Sequence, residues 1–132
     1  MTVSIVGTWK LVRATARDGD GRALPEPYGG KGIGRVTFTA DGRMQSVVCD
    51  GRKEIPAGEI RDYSSYCGNY TFDGSRLVTR VDAASDPSRI GSNQIRGVKF
   101  EGELVVLSPP PRRSSGGKQE YRELTWQRIS PE

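Results

Sequence analysis

Residues 34–44 read Gly-Arg-Val-Thr-Phe-Thr-Ala-Asp-Gly-Arg-Met, and this stretch decides the fold. Apolar and polar side chains alternate on both sides of Asp41-Gly42, with Val36 and Phe38 before the pair and Met44 after it. An Asp-Gly pair between two alternating runs is a strong β-hairpin signal, because its tight turn needs residues that tolerate a positive φ. The stretch therefore predicts two antiparallel strands, at 35–39 and 43–49.

The same signal recurs at Asp73-Gly74 and Glu101-Gly102. The pattern predicts eight strands in all, at 7–16, 35–39, 43–49, 68–72, 76–83, 93–100, 104–108 and 120–128. One segment, 53–66, differs because Ile60, Tyr63 and Tyr66 follow helical spacing, and it predicts one short helix. Eight antiparallel strands joined by tight turns favour an all-β, up-and-down barrel, since closure leaves no exposed sheet edge.

Length and composition limit the classes of function. A chain of 132 residues has the size of one domain, 1–132. Its longest apolar run is four residues, 104–107, so we expect no membrane span, which needs about 20. Its 20 basic and 16 acidic residues are interspersed rather than gathered into a stripe, and we expect no nucleic-acid partner.

The chain contains no histidine and two cysteines, Cys49 and Cys67. The lack of histidine excludes Ser-His-Asp and Cys-His nucleophiles, and the cysteines lack metal-type spacing, so we expect no metal and no cofactor. Two cysteines do not form a disulfide framework, and the N-terminus lacks the pattern of a secretory signal. These features predict a cytoplasmic protein with reduced thiols.

Motifs spread over the whole chain resemble the lipocalin-like domain family of small bacterial proteins, a branch of the calycin barrels. They are Gly-Thr-Trp-Lys-Leu-Val at 7–12, the 34–44 hairpin, Tyr-Cys-Gly-Asn-Tyr-Thr-Phe-Asp-Gly at 66–74, Gly-Ser-Asn-Gln-Ile-Arg at 91–96 and Leu-Thr-Trp-Gln-Arg at 124–128. The resemblance implies a barrel in which a basic residue of the last strand, here Arg128, covers the Trp9 indole as a structural cation–π pair. Relatives often carry a histidine in the fifth strand, where this chain has Thr79-Arg80. Any reaction that needs that histidine is therefore closed to this protein.

Polar residues on the fifth and sixth strands form the first candidate site. In a simple antiparallel register, Gln94 and Arg96 fall beside Asp82 and Arg80. Facing the lumen, the two guanidiniums can bind a carboxylate, phosphate or enolate, and Arg80, Asp82 and Arg96 are the catalytic candidates. Alternation also supports the opposite interpretation, in which these side chains form a solvated outer face.

Aromatic and apolar residues complete the candidate ligand-binding set. Tyr63, Tyr66 and Tyr70 surround the predicted helix and the fourth strand, where they either wall the lumen or seal the barrel end. Phe38 and Met44 are expected in the core or the lumen wall.

Three functions are compatible with such a barrel. The first is binding of a small, largely hydrophobic and possibly acidic molecule in the lumen. The second is a cofactor-free cyclase or isomerase acting on a polyketide-like or terpenoid-like substrate. The third is an interaction barrel with a filled core. A homodimer is compatible with a barrel of this size, and no residue of the sequence fixes it.

Overall fold

The computed structural model describes residues 4–113 and 119–131, and these fold into nine antiparallel strands. The strands are β1 (Gly7–Asp18), β2 (Gly32–Phe38), β3 (Arg43–Asp50), β4 (Tyr63–Phe72), β5 (Arg76–Ala84), β6 (Asn93–Glu101), β7 (Leu104–Ser108), β8 (Arg112–Arg113) and β9 (Gln119–Ser130). Two isolated 3-10 turns, Tyr28–Gly30 and Pro87–Arg89, lie in the connections. No helix among these residues is long and apolar enough to cross a membrane.

Eight of the strands close into the predicted up-and-down barrel. Strands β1 to β7 pair in sequence order, β7 pairs with β9, and β9 returns to β1. The short β8 is an additional strand, paired only with the start of β9. The predicted lipocalin-like barrel is therefore confirmed, with one strand more than the sequence pattern indicates.

Trp9 and Arg128 join the first and last barrel strands, as the resemblance implies. The two residues face each other in the β1–β9 register, and the guanidinium carbon of Arg128 lies 4.4 Å from the centre of the Trp9 ring. The indole N–H of Trp9 donates to the carbonyl oxygen of Ile5 over 3.0 Å. Arg128 in turn donates to the carbonyl of Ser4, so the segment before β1 is fastened across the same end of the barrel.

The two ends of the barrel differ because their connections differ. The tight turns at residues 39–42, 73–75 and 102–103 lie at one end, which we call the closed end. Aromatic rings fill it: Phe38 meets Tyr70 at 5.1 Å and Phe72 meets Phe100 at 6.3 Å, both edge to face. The longer connections 19–31, 51–62 and 85–92 lie at the other end, which we call the mouth.

The predicted short helix at 53–66 does not form. Residues 51–62 are an irregular connection, and 63–66 already belong to β4. Gly58 has a φ of 86°, which interrupts any helix, and Pro56 restricts the preceding residue to extended backbone. The spacing of Tyr63 and Tyr66 was misleading, since two residues three apart on a strand point to opposite faces.

The predicted register of the β5–β6 hairpin is also wrong. Gln94 pairs with Thr79 and Arg96 pairs with Leu77, rather than with Asp82 and Arg80. The long connection of residues 85–92 sets this register, because its 3-10 turn and a hydrogen bond from the Gly91 N–H to the Val81 carbonyl place the end of β5 against the loop. Gln94 and Arg96 therefore do not lie beside Asp82 and Arg80, as the simple register predicts.

Candidate functional site

A cavity of about 230 Å³ opens at the mouth and extends along the barrel interior toward the closed end. Its apolar wall comes from five strands, with Val36, Met44, Val48, Leu77, Leu107, Leu124 and Trp126. Its rim is polar, with Tyr28, Ser64, Tyr66 and Gln94, and the buried Ser46 adds one hydroxyl deeper in the wall. The cavity is therefore amphipathic, as small-molecule sites in barrels generally are.

Four arginines, Arg89, Arg96, Arg112 and Arg122, line this cavity. They come from the second 3-10 turn, β6, β8 and β9, so the fold gathers them from separate parts of the chain. None of the described residues that line the cavity is acidic. The mouth is consequently a region of concentrated positive charge, although the charges of the whole sequence are interspersed.

Arg96 faces the lumen because of strand alternation. On β6 the half-buried positions 94, 96, 98 and 100 share the inner face, and Lys99 is exposed on the other. The guanidinium of Arg96 donates to the side-chain oxygen of Gln94 at 3.2 Å and to the carbonyl of Ile95 at 2.8 Å. These two hydrogen bonds hold the Arg96 guanidinium in one orientation. Its remaining N–H groups are free to bind a ligand.

Arg89 is positioned by a capped turn. Asp86 precedes the turn, and its carboxylate accepts from the backbone N–H and the hydroxyl of Ser88, at 3.0 and 2.7 Å. These hydrogen bonds lower the pKa of Asp86 below its usual value. The guanidinium of Arg89 then lies 5.9 Å from the centre of the Tyr66 ring and donates to the Ser64 hydroxyl at 3.3 Å.

Tyr28 enters the cavity from the first 3-10 turn. Its φ of 58° is left-handed, a conformation that side chains rarely adopt, and it is the only such non-glycine residue described. Burial raises the pKa of its hydroxyl above 10.0, and the nearby charges of Arg122 and Arg89 reduce this effect without cancelling it. Tyr28 is therefore a protonated hydrogen-bond donor at neutral pH.

An ion-pair network holds the turn that carries Tyr28. Asp50 is almost completely buried, and both of its carboxylate oxygens accept from the guanidinium of Arg52, Oδ1 at 3.1 Å and Oδ2 at 2.7 Å. Arg52 packs directly against Gly29, where any Cβ would collide with the guanidinium. The Arg52 side-chain hydrogen bonds hold the pKa of Asp50 below its usual value of 3.8, despite its burial.

The structure separates the predicted site residues into three groups. Met44, Tyr66, Gln94 and Arg96 line the cavity together. Phe38 and Tyr70 lie at the closed end, where the Tyr70 hydroxyl donates to the carbonyl of Thr39 at 2.6 Å. The third group, Tyr63, Arg80 and Asp82, is exposed on the outer surface. The solvated-face interpretation therefore describes Arg80 and Asp82, and the lumen interpretation describes Arg96.

Sequence reasoning missed Tyr28, Arg89, Arg112 and Arg122. One signal was available for Arg122, because Arg122, Leu124 and Trp126 alternate on the last predicted strand and so share its inner face. The other three lie in loops or in the short β8, where no periodicity indicates a direction.

Comparison with known proteins gives a family but no individual relative. A family model described as a lipocalin-like domain matches residues 6–60 and 48–129. No curated protein and no solved structure gives a significant match to the chain.

Proposed function

Because the chain belongs to the lipocalin-like domain family, we propose that it binds a small, largely hydrophobic acid in the cavity that opens at the mouth of its barrel. The family supports small-molecule binding in general. The chemical class of the ligand is inferred from this chain's own cavity.

The single observation that carries the proposal is the meeting of four arginines with an apolar wall in one cavity. An arginine presents two parallel N–H groups that match the geometry of a carboxylate, a phosphate or an enolate. The apolar wall contributes through burial of hydrocarbon, roughly 0.8 kcal/mol for each buried CH₂. A molecule with an anionic head and a short apolar body satisfies both halves of the cavity.

The size of the cavity limits the ligand. An apolar cavity of roughly 150 Å³ in another protein holds benzene. At the same volume per atom, the cavity here accommodates roughly nine or ten non-hydrogen atoms. Short and medium-chain acids and monocyclic acids fall in this range, whereas long-chain lipids exceed it.

A ligand series that differs only in head-group charge tests this proposal. We expect octanoate to bind measurably, 1-octanol to bind at least about tenfold more weakly, and octylammonium to show no binding, because one charge-assisted contact is worth roughly a factor of ten. Titration calorimetry at low ionic strength gives all three affinities. Equal affinities for the three compounds would contradict an acidic ligand, and no binding of any would contradict a lumen site.

A second candidate, a cofactor-free cyclase or isomerase, is supported by Tyr28. Its half-buried hydroxyl lies near the charges of Arg89 and Arg122, where it can donate a proton while the guanidiniums stabilise a developing oxyanion. Such a reaction conserves the atoms of the substrate, so a proton gained from Tyr28 is balanced by one lost from another substrate atom to solvent.

Y28F tests this second candidate. The variant should bind an acidic metabolite fraction of the host as the wild type does, and should lose conversion of any component to an isomer of unchanged mass. Chromatography coupled to mass spectrometry detects such isomers. Equal conversion by wild type and Y28F, or none by either, would exclude Tyr28 as the proton donor.

The expected compartment, assembly state and partners also stay proposals. We place the protein in the cytoplasm, in keeping with the two free cysteines, and expect no nucleic-acid partner.

A homodimer would be supported by the exposed apolar side chains of Ile33, Val47 and Tyr63 on the outer face of β2, β3 and β4. Sedimentation analysis of wild type and V47E would show whether that face carries a dimer.

A further inference from the structure

Two of the four cavity arginines share a single protein carboxylate. Nε of Arg112 and Nε of Arg122 contact the same oxygen of Glu120, at 2.9 and 2.8 Å. The Glu120 side chain is only 13% exposed, so this contact is largely sheltered from water. The two guanidiniums therefore lie side by side, and one negative charge serves two positive charges.

The other two cavity arginines are linked by a relay of neutral groups. The Arg96 guanidinium donates to the side-chain oxygen of Gln94, and the Gln94 amide donates to the Ser92 hydroxyl at 3.3 Å. That hydroxyl donates in turn to the backbone carbonyl of Arg89 at 2.6 Å. The relay fixes β6 against the turn that carries Arg89, and it contributes no negative charge.

The Tyr28 hydroxyl connects the two pairs of arginines. The charges of Arg89, from one pair, and Arg122, from the other, both act on this hydroxyl, yet burial keeps its pKa above 10.0. Tyr28 therefore adds a neutral donor rather than a negative charge. The carboxylates of Asp62 and Asp86 also lie near these groups, but both residues are exposed and outside the cavity lining.

The cavity consequently holds more positive charge than one carboxylate ligand neutralises. Four guanidiniums line it, and Glu120 is the one carboxylate of the described residues in ion-pair contact with them, which leaves three positive charges. A dianion is more strongly hydrated than a monoanion, so a site without surplus positive charge binds the dianion more weakly. The surplus in this cavity favours the opposite order.

We infer that the natural ligand is a phosphate monoester of a short apolar group, with its dianionic head held by both pairs of arginines. This inference rests on the proposed function and names the acid. A phosphate monoester presents three terminal oxygens, so guanidiniums on two sides can bind it at once. A carboxylate presents two oxygens in one plane and suits a single guanidinium.

Three compounds that share a butyl group test the inference: butyl phosphate, pentanoate and butyl methyl phosphate. At pH 7.5 the first is a dianion, whereas the carboxylate and the phosphate diester each carry one negative charge. By calorimetric titration, we expect butyl phosphate to bind at least about tenfold more tightly than either, for one further charge-assisted contact. Inorganic phosphate, the head without the apolar group, should bind at least about tenfold more weakly than butyl phosphate.

The lack of histidine makes a pH series a direct measure of ligand charge. Histidine is the side chain whose unperturbed pKa lies in the range from pH 5.5 to 7.5, and the chain contains none. The second proton of a phosphate monoester dissociates near pH 6. Acidification from pH 7.5 to 5.5 should therefore weaken binding of butyl phosphate about fourfold, and change binding of pentanoate and the diester less than about twofold.

R112M and R113M are matched variants for the same titrations. The two arginines are exposed neighbours on β8, and only Arg112 lines the cavity. Because β8 pairs only with the start of β9, the barrel does not depend on either side chain. R112M should reduce the preference for butyl phosphate over pentanoate at least about threefold, and R113M should leave this preference unchanged.

The outcomes separate this inference from the proposed function. If octanoate binds, but butyl phosphate binds no more tightly than pentanoate or loses no affinity at pH 5.5, the inference is overturned and the proposed function stands. Equal losses in R112M and R113M would also overturn it, because overall charge would then account for the preference. Inorganic phosphate that binds as tightly as butyl phosphate would overturn the ester. If neither octanoate nor butyl phosphate binds, the proposed function itself fails.

Discussion

The carboxylate of Glu120 accepts a hydrogen bond from Nε of Arg122 over 2.8 Å, so one cavity arginine already has a counter-charge. The same oxygen lies 2.9 Å from Nε of Arg112. By contrast, the hydrogen bonds described for Arg89 and Arg96 end on neutral oxygens. The mouth thus combines two arginines that share a protein carboxylate with two that are held by neutral groups.

Removal of the Glu120 charge should strengthen anion binding. In E120Q, Arg112 and Arg122 lose a competing carboxylate, and we expect octanoate affinity to rise about three- to tenfold. The matched control is E123Q, because Glu123 follows on the same strand and pairs with the exposed Arg17. Calorimetric titration of both variants measures the change, and a weaker affinity in E120Q would show that Glu120 supports the site rather than competes for it.

Loss of Arg96 should weaken binding of the acid. R96M keeps the length and the apolar part of the side chain, and removes a guanidinium held within the cavity by Gln94. We expect octanoate affinity to fall about tenfold or more, as for a charge-assisted hydrogen bond.

R80M is the control for that experiment. Arg80 lies on the neighbouring strand β5 but is exposed on the outer surface. R80M should bind octanoate as the wild type does. Equal losses in both variants would mean that net charge, rather than a contact in the cavity, governs affinity.

The Trp9–Arg128 contact should stabilise the fold. R128A removes the guanidinium that covers the indole and donates to the Ser4 carbonyl. Because Arg128 is partly solvated, we expect the free energy of unfolding to fall by about 1–2 kcal/mol.

R17A provides the comparison for this loss. The Arg17–Glu123 ion pair also connects β1 to β9, but both side chains are substantially exposed, at 53% and 37%. An exposed pair of this kind contributes about 0.2–1 kcal/mol. In urea denaturation, R128A should therefore have a lower free energy of unfolding than R17A. The reverse order would refute the role of the cation–π pair in joining β1 to β9.

Acid should remove the stabilisation that Arg52 gives through Asp50. Because the folded-state pKa of Asp50 lies below its usual 3.8, this stabilisation is present above that value and is lost as the pH falls through the folded-state pKa. The stability difference between wild type and R52M should accordingly be large at pH 7 and shrink below pH 3.8. Denaturation curves across this range measure it.

The D50N background isolates the effect from other carboxylates. Asp73 and Asp86 also have lowered pKa values, from hydrogen bonds within their own turns, and contribute to acid unfolding independently of Arg52. In the D50N background, the loss of unfolding free energy caused by R52M should not depend on pH between 2 and 5. If it still depends on pH, another titrating group interacts with Arg52, and Glu59, at 3.3 Å, is the first candidate.

The sequence predicted the barrel because its signals are local. Asp41-Gly42 and Asp73-Gly74 each fix a turn, and the alternation around them fixes which side chains point inward. The contact of Trp9 with Arg128 was implied by the family resemblance, and alternation left the inward and outward directions of Arg96 open.

The rest of the candidate site depended on connections without periodicity. Tyr28 adopts a left-handed backbone and is positioned by Asp50 and Arg52, which lie more than 20 residues further along the chain. The β5–β6 register depends on a long loop, so Arg80 and Arg96 could not be placed relative to each other from alternation alone.

Native mass spectrometry of the protein purified gently from its own host tests the central claim most directly. We predict a non-covalent complex whose excess mass, roughly 120–160 Da, matches the cavity and is released on denaturation as an acid detected in negative-ion mode. The R96M variant, purified in parallel, should retain much less of it. Wild-type protein that carries no ligand and also fails to take up octanoate would contradict the claim that this cavity binds a small acid.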